Sequence, residues 1–199
     1  MTRTTETWEI SQMLLGELEQ EAQATRRVLQ RVPQDKLSWR PHPKSSSLGQ
    51  LALHVAIIPS LGTLALSSDE FEAPEFAQPE PRTAAELITT LDGSLASARR
   101  FLSELTPERA EGMWRLLRGG RELMAVPRLP MIRTLMFNHL YHHRGSLVVY
   151  LRMLDIPLPP VYGPTADEKA FAKLPVTSTS FGGLMRHLAI TVAGVVLTA

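Results

Sequence analysis

Apolar residues return at three- and four-residue steps in four stretches of the chain, the spacing of helices that bury one face. The first stretch covers residues 7–31. Trp8, Leu15, Leu18, Ala22, Thr25 and Leu29 form its stripe, with Glu17, Glu19, Arg26 and Arg27 between them, and Pro33 ends it. Pro33, Pro41 and Pro43 keep residues 32–47 irregular. Ser47-Leu48-Gly49-Gln50 then reads as a capping box, in which the Ser hydroxyl and the Gln side chain each satisfy an amide of the first turn. The helix it opens runs through Leu51, His54, Val55, Ile58 and Leu61, and Pro59 is expected to kink it or split off its end. A second box, Thr83-Ala84-Ala85-Glu86, starts a third helix through Leu87, Leu91, Leu95, Ala98 and Leu102, stopped by Pro107. The fourth stretch spans residues 131–154 and ends before Pro157, Pro159 and Pro160; Thr165 to Glu168 is expected to cap one further short helix.

Two connections stand out. Residues 67–82 are rich in proline and acidic groups (Asp69, Glu70, Glu72, Glu75, Glu80) and are long enough to cross the side or end of a bundle. Ahead of the fourth helix, Gly119-Gly120 lies between apolar runs at 114–117 and 122–126, a hairpin signal. The pattern predicts an all-α four-helix bundle with a long connection between helices 2 and 3 and a small β-hairpin before helix 4.

At 199 residues and 44% apolar composition the chain suits a single core. We divide it into a bundle over 1–173 and an apolar C-terminal extension of unknown role over 174–199. Residues 181–199 reach the minimum length of a membrane span. Arg186 and His187 fall in their first half, however, so a helix packed on the bundle or on a partner is expected instead. A net charge of +1 without a Lys/Arg cluster argues against nucleic acid as a partner. The N-terminus lacks the apolar core of a secretory signal, and a cytoplasmic location is expected. With no cysteine in the chain, any metal must be held by His, Asp or Glu.

Histidine supplies that chemistry. His139 and His143 are four residues apart, about 40° around a helix and one turn along it, so both imidazoles can reach one point. His54 lies on the inward stripe of the second helix, and facing helices of a bundle are a common frame for a metal site. Three neutral donors leave coordination positions open, and imidazole ligation favours zinc or nickel. Leu140, Tyr141 and His142 occupy the positions where a zinc protease would place its Glu, so that chemistry is not supported. His142 is about 60–100° off the pair's face and reads as a surface or supporting group. His42 reads as an exposed loop residue, and His187 receives no role. Trp39 reads as packing at the bundle end, Met131, Met136 and Met153 as core filler, and Gly145 as the mark of a close helix crossing. Tyr141 and Arg144 are open between orienting a ligand and pairing within the protein.

The stretches 37–45 (around Trp39 and His42), 48–56 (around His54), 138–147 (around His139 and His143) and 161–168 (around Tyr162) together resemble the DinB/YfiT-like superfamily of metal-binding four-helix bundles. The resemblance extends over residues 1–173 and stops short of the tail. It implies His54, His139 and His143 as ligands of a divalent ion, usually zinc or nickel. It further implies thiol-dependent S-transferase-like chemistry with a low-molecular-weight thiol as cofactor; the alternatives are a metal-dependent hydrolase or a non-catalytic, stress-related metal-binding module. Relatives in the superfamily are often dimers, which with the apolar tail leads to an expected homodimer acting on a small-molecule substrate.

Overall fold

The computed structural model describes residues 3–75 and 79–168. The extension over 174–199, with its membrane and interface readings and His187, lies outside the described residues.

Four helical rods surround one core. Helix α1 (Arg3–Leu29) packs on α3 (Ala84–Ser103), α3 packs on α2 (Leu48–Leu66), and α2 packs on the last rod, which leans back on α1. Leu18, Val28, Val55, Ile58, Leu87, Leu102, Phe137 and Leu147 are fully buried at the centre. Helix α2 is long and apolar enough to cross a membrane, yet most of it is buried in this core, where an apolar helix is equally at home.

Local chemistry sets the helix starts. Ser47 accepts from the Gln50 amide at 3.1 Å while the Gln50 side chain accepts from the Ser47 amide at 2.9 Å, the complete box expected from sequence. At α3 the box is skewed: Thr83 accepts from the Glu86 amide at 3.3 Å, and Glu86 reaches past Thr83 to the Arg82 amide at 2.8 Å. Helix α2 continues through Pro59. The Ser60 amide bonds the Ser94 hydroxyl of α3 at 2.8 Å, so that the turn carrying the proline is tied to its neighbour. Pro107 stands four residues beyond the end of α3 and opens a short helix, α4 (Pro107–Glu111), under a Thr106 cap. Thr165 makes cap-like bonds to the amides of Asp167 and Glu168, but the described residues end there without a helix.

The hairpin is present and gains a third strand. β2 (Met113–Arg118) and β3 (Arg121–Pro127) pair antiparallel with Arg118 opposite Arg121. Gly119 and Gly120 take φ of 58° and 73°, the left-handed pair that a two-residue turn of this twist requires. The connection after α2 contributes β1 (Glu70–Glu72), parallel to β2 with Phe71 opposite Leu116. Three acidic and aromatic residues beside prolines carry too short a strand pattern to read; tertiary contact makes the strand. The Glu72 carboxylate accepts from the turn amides of Gly119 and Gly120. Buried Trp114 donates its indole N–H to the Ala65 carbonyl at 2.8 Å, fastening the sheet to the end of α2.

The last rod begins earlier than expected and is not uniform. Helix α5 (Arg128–Ile132) passes into a π-helical turn (Arg133–Asn138) and then into α6 (His139–Met153). The crossing of α2 over this π turn is tight: a Cβ on Gly62 would lie 3.1 Å from Met136 Cβ. Gly145, expected at such a crossing, is exposed with open space where a Cβ would go. Met136 is core, whereas Met153 is 56% exposed and fills nothing.

Candidate metal centre

Two helices bring the three predicted ligands together. His54 projects from the middle of α2, and His139 and His143 project from the first two turns of α6. One nitrogen from each lies within 4.8 Å of the other two, and His54 Nε2 faces His139 Nε2 at 3.1 Å. The rings stand edge to face with centroids 4.6–4.9 Å apart, so no two are stacked flat against each other. All three are half-buried.

That burial has an electrostatic result. Removal from water pushes the pKa of His54 down to about 4, and its neighbour His139 pushes the same way. His143 is likewise lowered to about 4 by burial, with His54, His139 and His142 adding to it. His139 is lowered by burial too, partly opposed by a hydrogen bond to the Leu135 backbone. At neutral pH the cluster is therefore three uncharged imidazoles, the protonation state that metal ligation needs.

The π turn explains the Leu135 bond. The His139 amide donates to the Thr134 carbonyl, five residues back instead of four. The Leu135 carbonyl, which a regular α-helix would pair with that amide, is left to receive the His139 ring N–H. Such a bond selects the ring tautomer and aims the other nitrogen at the cluster. The sequence carries no signal for this insertion, since widened turns follow from packing and not from residue type.

Beside the triad lies a cavity of about 240 Å³ lined by Ser46, Leu51, His142, Ser146 and Tyr150 together with His54 and His143. His142 is exposed and its ring is 4.8 Å from that of His143, so it is at the mouth and off the triad. His42 is an exposed loop residue whose Nδ1 accepts from the Lys44 amide at 3.1 Å. A larger cavity, about 580 Å³, lies between α1 and residues 160–168. It contains no histidine and is edged by Glu168, where the described residues end, so its size does not make it the site.

Tyr141 and Arg144 turn away from the triad and pair within the protein. Arg144, 1% exposed, contacts the Glu21 carboxylate at 2.6 Å and the Thr25 hydroxyl at 3.1 Å, and donates to the Tyr162 hydroxyl. Tyr141 donates to Glu17, which also holds Arg133. Sequence reasoning missed this network. Its trace is the spacing Glu17, Glu21, Thr25, three polar residues at four-residue steps on one face of α1, where they meet Tyr141 and Arg144 of α6.

A helical bundle with a His pair on its last helix and a third His on its second is the arrangement this chain presents. The DinB superfamily model matches residues 17–147, more than half of the chain, and the chain belongs to that superfamily. Its sequence is 27% identical over 153 residues to YrdA of Bacillus subtilis strain 168, a protein described as uncharacterized, covering 75% of this chain and 86% of that one. Its fold is similar to the crystal structure of a DinB-like protein from Bacillus cereus ATCC 10987, with a TM-score of 0.60, 22% identity and coverage of 81% and 100% of the two chains. It is also similar to the DinB-like protein YjoA of B. subtilis, with a TM-score of 0.57, 17% identity and coverage of 75% and 97%.

Proposed function

We propose that the chain binds one divalent ion, zinc or nickel, through His54, His139 and His143, and that the loaded centre works as a metalloenzyme on a small molecule. The observation that carries the reading is the convergence of three nitrogens, uncharged at neutral pH and within 4.8 Å of one another, from helices 85 positions apart in sequence. The donor set fits a borderline metal, and the cavity alongside gives the open positions something to open onto. An ion bound there supplies a Lewis acid that lowers the pKa of a thiol or a water toward neutrality.

The rest falls to the protein's own groups. Leu135 holds the His139 ring in one orientation, and Leu51 and Tyr150 form part of the cavity wall. Among the described residues no carboxylate lines the cavity, so its described walls offer no general base of the kind a metal-dependent hydrolase uses. That favours transfer of a thiol brought in as a low-molecular-weight cofactor, S-transferase-like chemistry, over hydrolysis. We further take the protein to be cytoplasmic and to be a homodimer, the latter tested directly by light scattering on the full chain.

The deciding experiment is metal analysis of purified protein. About one ion per chain is expected, with loss of that ion in His54→Ala and in His143→Ala and retention in His142→Ala. Full occupancy in His143→Ala would overturn the ligand assignment. A loaded protein that turns over no thiol with any electrophile would leave a metal-binding module without catalysis.

A further inference from the structure

His139, His143, Ser146 and Tyr150 share one face of α6. At 100° per residue they fall within about 60° of one another, and Tyr150 stands about 10 Å along the axis from His143. The cavity follows this line, closed on the other side by Ser46 and Leu51 at the N-terminal end of α2. It is a short trough running from the triad toward the end of the bundle.

The charges and hydrogen bonds in the trough are uneven. Among the described residues its walls hold no carboxylate to balance an ion held by three neutral imidazoles, which favours an incoming molecule that brings negative charge to the triad end. At the far end the Tyr150 hydroxyl makes no hydrogen bond to another described residue, although its ring is fixed by the edge of Trp39 at 5.7 Å between centroids. Ser146 spends its proton on the His142 carbonyl at 3.1 Å. The first amides of α2 are also spent, on the carbonyls of Trp39 and Leu37 and on the Ser47 hydroxyl. Tyr150 is thus the placed donor at that end.

Resting on the metal reading above, we propose that the trough seats the organic ligand: a small anion whose charged donor atom meets the ion and whose tail ends in an oxygen acceptor on Tyr150. Tyr150 is then a specificity-determining residue, and Trp39 acts through it as a positioning residue. The cavity, about 240 Å³, suits a small molecule.

The test uses the full chain loaded with cobalt(II), whose visible spectrum reports on its ligands. Two hydroxamates serve as probes: acetohydroxamate, which reaches only the ion, and the monohydroxamate of adipic acid monoamide, whose carbonyl reaches the far end. The longer probe is expected to bind about 30-fold more tightly. Tyr150→Phe should remove about five- to tenfold of that gain, and Trp39→Ala about threefold, with acetohydroxamate affinity and cobalt stoichiometry unchanged in both. Equal affinity of the two probes in the parent protein, or the full gain retained in Tyr150→Phe, would overturn the seat while leaving the metal centre standing. Failure to bind cobalt stoichiometrically would overturn the metal centre itself, and the seat with it.

Discussion

Helix α6 has two polar faces, and they are built on opposite principles. On one, His139 and His143 meet His54 beside a cavity with no carboxylate among its described walls, and partial burial keeps the imidazoles uncharged. On the other, Arg144 is more deeply buried and is met by Glu21, Thr25 and Tyr162, and Tyr141 is met by Glu17. The difference teaches which buried polar groups hold a fold and which are kept for something else. A buried charge with partners sets the rotation of a helix; neutral imidazoles from two helices that converge beside a cavity make a candidate site. Arg144 and His143 are adjacent in sequence, so whatever sets one sets the direction of the other.

Breaking the paired face should produce the largest change. Arg144→Ala leaves the Glu21 carboxylate in the α1–α6 interface with the Tyr162 hydroxyl but no cation, and urea unfolding should show a loss of about 3 kcal/mol. Arg144→Met with Glu21→Leu should recover most of it, because no charge is then left buried. A double variant as unstable as the single one would show that packing, and not the stranded charge, sets the cost.

The open face should respond to pH instead. In the metal-free folded chain His54 and His143 are held near 4, whereas in the unfolded chain they protonate around 6.5. Between those values the unfolded state binds more protons, so stability rises with pH. The contribution is fully present above about 6.5 and is lost as pH falls toward 4. Unfolding midpoints measured across that window should fall with acidification in the parent chain and fall less in His54→Ala with His143→Ala. A flat parent profile would mean the imidazoles are not held neutral.

The smallest effects sharpen the comparison through two glycines on the same pair of helices. Gly62→Ala forces a methyl against Met136 and the π turn, costing about 2 kcal/mol of overpacking against about 1 gained in helix propensity. Gly145→Ala meets nothing and should stabilise by up to about 1 kcal/mol in thermal melts. Opposite signs are expected, and equal signs would place the close crossing elsewhere.

What local pattern governs was legible in the chain itself. The capping groups at Ser47 and Thr83 locate their helix starts because the hydrogen bonds involved span only a few residues. Gly119-Gly120 marks its turn because few other residues accept that backbone. His139 and His143 share a face by helical geometry alone, and His54 was found on the apolar stripe of a capped helix. The site's candidates therefore came from spacing. Their meeting at one point, in contrast, depends on how α2 and α6 cross, and the crossing depends on contacts far apart in sequence: Gly62 against Met136, Glu21 against Arg144. The π turn that releases Leu135, the strand at Glu70–Glu72 and the exposure of Gly145 belong to the same category. Each is decided by a neighbour that periodicity cannot see, because a residue's spacing reveals which face it occupies and only packing reveals what that face meets.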